Sequence, residues 1–445
     1  MLLASLFFYS WWNPKYLPLI VGSLLVNFLI SRYIVKEQNS YRKTALTIGI
    51  LFNVLLLGFF KYFDFLISNI NFLFSSNIPL LHLLLPLAIS FYTFQQIAFL
   101  VDSYRLETKH YKFLDYSIFI TFFPQLIAGP IVQHHEVMDQ FANNENRKIN
   151  YKNIALGLFV FSIGMFKKVA IADTFAVYAN HGYNMSASLN LIDAWITSLA
   201  YTFQLYFDFS GYSDMAIGLA LLFNITLPRN FNSPYKALDI QDFWRRWHIT
   251  LSAFLTKYLY IPLGGNRKGT GRTYIHVLII FLVSGIWHGA GWTFVLWGLC
   301  HGLAMMINRF WKTTGFSLNK IVAWFITFQF VNAAWVLFRS PSLDIAMNVY
   351  KGMLGLNGIA MPEQLNNLLN TSFGMPVYTF TFTTSFVMIA LLLVLALCIS
   401  LFMKNSLQMR DSFKPTILTA VFCSVLFLYA VFQIQEVTEF LYFNF

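Results

Sequence analysis

His288 stands inside SGIWHGAGW (284–292), framed by Trp287 and Trp292 and surrounded by Ser284, Gly285, Gly289 and Gly291. A neutral imidazole suits the removal of a proton from a hydroxyl as that oxygen attacks an acyl carbonyl. Burying a polar ring in an apolar segment without a partner costs on the order of a few kcal/mol, so the residue is either functional or hydrogen-bonded between helices. The chemistry of the residues alone fits both readings. His248, in DIQDFWRRWHITLSAFL (239–255), follows Trp244 by one turn; packing and hydrogen bonding is its simpler role, a second functional group the sharper one. Arg245, Arg246, Arg267, Lys268 and Arg272 form a positive surface that either receives a phosphate-bearing acyl donor by charge-assisted hydrogen bonds or fixes membrane orientation. Further polar intrusions are Asp208 and Asp214 in YFDFSGYSDMAIG and Lys167, Lys168 and Asp173 in SIGMFKKVAIAD. The spacing of five and six between those lysines and Asp173 does not favour a close pair on one helix, so partners on other helices are expected.

The elements that hold these residues belong to a membrane. Apolar residues make up 57% of the 445 and charged ones 11%, with 49 phenylalanines, outside the usage of a soluble globular domain. Apolar runs at 17–31, 46–60, 275–287 and 384–403 approach or reach the length that crosses a hydrocarbon core of roughly 30 Å. The expected architecture is an all-α polytopic membrane protein, a single domain over 1–445, with about ten or eleven transmembrane helices plus interfacial or re-entrant helices. Cys300, Cys398 and Cys423 lie in apolar stretches without metal-ligand spacing and read as small buried apolar residues. No basic n-region or small-residue cleavage site precedes the first apolar run, so no removable signal peptide is expected.

The net charge of +11 would suit a nucleic-acid binder if it were clustered on a soluble face; here the basic residues sit between apolar spans, which writes topology and excludes nucleic acid as the partner. With the N-terminus outside, 24 of the 30 basic residues fall in inner connections and four (Lys15, Lys61, Arg339 and Lys351) outside, leaving Lys167 and Lys168 within a span. Both termini are therefore expected to face outward, with the tail QIQEVTEFLYFNF free of Lys and Arg. Two connections are long: 340–382 outside, and 226–272 inside. Within the latter, apolar residues at 240, 243, 244, 247, 251, 254, 255 and 258 predict one amphipathic helix, capped by Asp239, ended by Gly264 and Gly265, and lying at the interface. HExxH, GxSxG and GxxxxGK[ST] are absent, so metalloprotease, nucleophile-elbow hydrolase and P-loop readings have no motif support.

RNFNSPY (229–235), QDFWRRWHITLSAFL (241–255), YLYIPLGGNRKG (258–269) and SGIWHGAGWTFVLWGLCHG (284–302) together resemble the membrane-bound O-acyltransferase family, in its bacterial alginate O-acetylation branch. The opening FFYSWWNPKYLPLI, the stretch FFPQLIAGPI (122–131) and the ending FLYFNF extend the resemblance over nearly the whole chain. It implies an enzyme of the bacterial inner membrane that moves an acetyl group from a cytoplasmic donor, acetyl-CoA, for O-acetylation of an exported polysaccharide such as alginate. No permanently bound cofactor is implied, and an exported or periplasmic acetyltransferase is the implied partner. Carried over by motif, His288 is the catalytic residue and His248 the second functional position. Arg245, Arg246, Arg267 and Lys268 are the residues expected to receive the donor's phosphates. The chain departs from the branch where an Arg-Asp-Tyr triplet usually follows the tryptophan-histidine helix: it has Thr256, Lys257 and Tyr258. The branch that moves D-alanine from a carrier protein to teichoic acid is the alternative, disfavoured by IPLGGNRKG. A transporter or flippase without acyl chemistry would need polar groups along a continuous path.

Overall fold

The computed structural model describes residues 1–36, 40–108, 111–185, 188–369, 376–378, 380, 382, 384–434 and 441. The expected acidic tail therefore lies almost wholly outside the described residues, as do positions 370–375 of the 340–382 connection. Helix dominates because backbone polar groups in hydrocarbon must be satisfied within their own segment. Among the described residues, five helices are long and apolar enough to cross a membrane: Pro14–Ile34, Arg42–Phe74, Tyr151–Asn184, Thr270–His288 and Lys320–Arg339. Shorter apolar helices occupy Leu2–Trp12, Ile249–Leu263, Phe386–Phe402 and Ile417–Gln433. These five are fewer than the ten or eleven expected, because several apolar helices are shorter than a full span and the longest helix carries buried polar residues. Leu191–Leu222 is the central one, 32 residues long, and it buries Asp193, Asp208 and Asp214. The 340–382 connection adds a short helix, Leu343–Met353, and a two-stranded parallel pair, Met361–Pro362 with Val377–Tyr378.

Small residues set the central packing. A Cβ on Gly164 would lie 2.6 Å from the Gly211 carbonyl oxygen, and one on Gly218 would lie 2.7 Å from that of Gly157, so Tyr151–Phe166 and Leu191–Leu222 touch backbone to backbone. Cys300 and Cys423 are half-buried, whereas Cys398 is exposed: its helix buries Ile389 and Ala396 on the opposite side and turns the cysteine outward.

Three lysine-bearing segments wind as π-turns, in which an extra residue is fitted into the helical turn: Gly58–Tyr62, Lys167–Ala172 and Thr256–Tyr260. Each delivers a lysine to buried acceptors. In the second, Lys168 Nζ meets Asp173 Oδ1 at 2.6 Å and Asp208 Oδ1 at 2.9 Å, while Lys167 Nζ meets Asp214 Oδ2 at 2.8 Å. Partners on another helix were expected; the Lys168–Asp173 pair was not. The correction follows from geometry, since the wider turn brings i and i+5 together where a regular helix would separate them.

Candidate active site

The Thr270–His288 helix packs along Trp292–Thr313, and Gly285 and Gly298 make that possible: a Cβ on either would collide with the opposite backbone, at Phe294 O and Phe281 O respectively. His288, the last residue of its helix, is 3% exposed. Its ring is boxed by Trp287 (centroids 4.8 Å apart), Phe338 (5.1 Å) and Trp297 (5.2 Å), the last two nearly edge-on or edge-on. Trp287 does wall the histidine as its place in the motif suggests. Trp292 does not: it is exposed and its indole N–H donates to Asn69 Oδ1 at 2.9 Å.

The stretch after Asp239 is not the single interfacial helix that its periodicity suggests. It breaks into Ile240–Arg246 and Ile249–Leu255, followed by the third π-turn. The break falls on Trp247 and His248, the latter in the left-handed region at φ 43°. Its apolar residues turn into the protein: Phe243, Trp244, Trp247, Leu251 and Phe254 are all buried. The RNFNSPY motif pins the break. Asn230 Oδ1 lies 3.0 Å from His248 Nδ1 and accepts from Thr250 Oγ1 at 2.9 Å, and the Ile249 N–H donates to Asn230 O at 3.0 Å. His248 is fully buried, and its ring approaches that of Trp287 at 6.3 Å, so one indole lies against both histidines. A third histidine, His301, is also fully buried and accepts from the Trp244 indole N–H at 3.3 Å.

Two cavities approach this centre from different sides. One, of about 250 Å³, is lined by residues of the broken helix (Trp244, Leu251, Leu255) and by Phe281 and Ser284 of the histidine helix, with Gln241 and Arg309 among its polar residues. Ser284 precedes His288 by one helical turn. The other, of about 310 Å³, is lined by Phe59, Lys61, Asp64, Phe294 and the Gly289–Ala290 segment immediately after His288.

The basic residues singled out by the sequence stay at the surface. Arg245, Arg267 and Lys268 are exposed; Arg246 is half-buried and engaged by Asp242 at 2.9 Å and by the Asn232 carbonyl. None of the four lines the 250 Å³ cavity, whereas the exposed Arg309 does. Arg309 was legible only as one more basic residue in an inner connection. Lys257, which stands where an acidic residue was expected, is itself a cation held by two carboxylates, the buried Asp102 (Oδ1) and the exposed Glu107 (Oε2), each at 3.1 Å. Tyr258 OH donates to Asp102 Oδ2 at 2.7 Å, so Ile89–Tyr104 supplies the carboxylate that the triplet lacks.

A family model for the membrane-bound O-acyltransferases matches residues 101–340, which hold the broken helix, both central histidines and the lining of the 250 Å³ cavity. The chain belongs to that family. It is an O-acyltransferase of the membrane, and the relatives refine the comparison. A peptidoglycan O-acetyltransferase of Helicobacter pylori is 48% identical over all of this chain and 91% of its own length. A probable alginate O-acetylase of Pseudomonas aeruginosa is 40% identical over 82% of this chain and 71% of its own. A teichoic acid D-alanyltransferase of Bacillus subtilis is 26% identical over 70% of this chain and 81% of its own. The acyltransferase assignment thus stands on the family match and on relatives named for O-acetyl transfer, and the transporter reading has no such support.

Proposed function

We propose that this membrane-bound O-acyltransferase takes an acetyl group from acetyl-CoA at its basic, cytoplasmic face and delivers it to a polysaccharide hydroxyl beyond the inner membrane, with His288 as general base. The observation that carries this is that neighbours of the buried His288 line two separate cavities, Ser284 on its own helix lining one and Gly289 and Ala290 the other, while His288 itself lines neither. A thioester reaching the ring through the first cavity and a hydroxyl reaching it through the second would meet at the imidazole. The ring takes the hydroxyl proton as that oxygen bonds to the acetyl carbon; the C–S bond breaks, and the imidazolium returns the proton to the departing thiolate, leaving free coenzyme A and an acetyl ester. His248, held by Asn230 and sharing Trp287 with His288, supports the second functional position. Arg309 at the cavity, with Arg245, Arg246, Arg267 and Lys268 on the surface, would engage the donor's phosphates.

Peptidoglycan is the acceptor class we favour over alginate, because the relative named for it aligns with the entire chain. An exported acetyltransferase would be the partner that completes delivery. Purified protein in proteoliposomes, supplied with radiolabelled acetyl-CoA and soluble muropeptides or alginate oligomers with the exported partner, tests this. Labelled muropeptide with release of free thiol is expected; turnover of a D-alanyl carrier protein in place of acetyl-CoA would overturn the donor.

A further inference from the structure

Every carbonyl at the end of the histidine helix has an identified acceptor role, and two adjacent residues of another span account for most of them. A helix leaves its last four carbonyls without intrahelical donors. Here Gly285 O accepts from the Gly289 N–H, Ile286 O accepts from Tyr62 OH at 2.7 Å, Trp287 O accepts from Lys61 Nζ, and His288 O accepts from Lys61 Nζ at 3.2 Å. The third interaction of the ammonium goes to Ser90 Oγ at 3.3 Å, on the Ile89–Tyr104 helix. Lys61 and Tyr62 both belong to the Gly58–Tyr62 π-turn, a device that concentrates at functional sites, and the turn interrupts an otherwise peripheral span of which only 11% of the apolar window is buried. The ammonium also lies 5.8 Å from the centroid of the Trp287 ring, and Lys61 lines the 310 Å³ cavity.

We infer that Lys61 is a positioning residue for His288: its ammonium clamps the carbonyl end of the histidine helix and so fixes the place of the imidazole. A cation at a helix C-terminus is favoured by the helix dipole, and this one is half-buried at the cavity wall, where the interaction is less screened than at an open surface. Its three N–H groups are matched by three acceptors, so Lys61 acts on the helix end and not on the reacting atoms. The inference rests on the reading of His288 as general base. A misplacement near 1 Å costs on the order of a hundredfold in rate, which sets the scale of the effect.

The test is a double-mutant cycle on full-length protein in proteoliposomes, reading kcat and KM for acetyl-CoA. Lys61→Met, which keeps the stem and loses the charge and donors, is expected to lower kcat about ten- to a hundredfold with KM little changed, and Lys61→Arg to restore most of it. On a His288→Gln background the penalty of Lys61→Met should largely vanish, because the ring being positioned is gone. An equal penalty on both backgrounds, or a rise in KM with kcat intact, would overturn the role of Lys61 while leaving His288 as base. Normal turnover by His288→Gln alone would instead remove the base, and the positioning role with it. If Lys61→Met fails to insert, Lys61→Gln is read in its place against the same outcomes.

Discussion

What separates a catalytic histidine from a structural one at position 288 is whether the ring's basicity or only its shape is used. The ring is boxed by Trp287, Trp297 and Phe338, which would suit either role. General-base catalysis contributes about a hundred- to ten-thousandfold, so His288→Ala and His288→Gln should both lose acetyl transfer by that order while inserting normally and binding donor. Near-normal turnover by purified His288→Gln would show that a polar group suffices. At the donor side, charge reversal of Arg309 should raise KM for acetyl-CoA more than the paired reversal of Arg267 and Lys268, because only Arg309 lines the cavity that reaches Ser284. The opposite ranking, measured by initial rates at fixed ionic strength, would place the phosphates on the glycine-rich connection. His288 was legible in the sequence because an ionisable ring among tryptophans and glycines is conspicuous in an apolar span. Lys61 was not: counted by position it is merely one of the few basic residues on the sparse side, and two of its three acceptors are backbone carbonyls 226 and 227 residues away, which no local pattern encodes.

At the scale of elements, periodicity located the segment after Asp239 and misjudged its shape. The apolar spacing is helical throughout, yet Asn230 captures His248 and Thr250 and fixes a left-handed residue at His248, so the segment folds inward as two helices. A side chain eighteen residues upstream overrides local propensity, which is why the break could not be read from the stretch itself. The start of the first piece was legible, and it carries a pH signature. Asp239 accepts from the Asp242 N–H at 2.8 Å and pairs with Lys312 at 2.9 Å. Partial burial pushes its carboxyl up, but the backbone bond from Asp242 and the Lys312 ammonium outweigh that and hold it below its ordinary value. A depressed carboxyl gives stability that is present above its unfolded pKa and lost as pH falls through the folded one. Thermal unfolding in detergent should therefore show Asp239→Asn, which retains a cap, weakening the protein near neutrality and erasing part of its acid sensitivity. Asp239→Ala should cost about 1 kcal/mol more broadly through loss of the cap. Unchanged acid sensitivity in Asp239→Asn would assign that sensitivity to other groups.

For the whole molecule, the remaining question is direction, because acetyl transfer across a bilayer has meaning only if the donor cavity opens inward. On the charge bias of 24 to four we propose that the 226–272 connection faces the cytoplasm; the structure joins parts of that basic segment to its neighbours through Lys312 with Asp239 and Lys236 with the Met403 carbonyl. In a background with Cys300, Cys398 and Cys423 replaced, Asn266→Cys should resist an impermeant maleimide on intact cells and react once the membrane is opened. Asn266 is exposed between Gly265 and Arg267, so failure to label in both conditions is not expected from burial. Leu356→Cys, at a position 72% exposed in the opposite connection, should label on intact cells and serves as the positive control. Labelling of Asn266→Cys from outside would invert the protein. It would also place the 250 Å³ cavity on the face without acetyl-CoA, so the donor assignment and the orientation stand or fall on the same measurement.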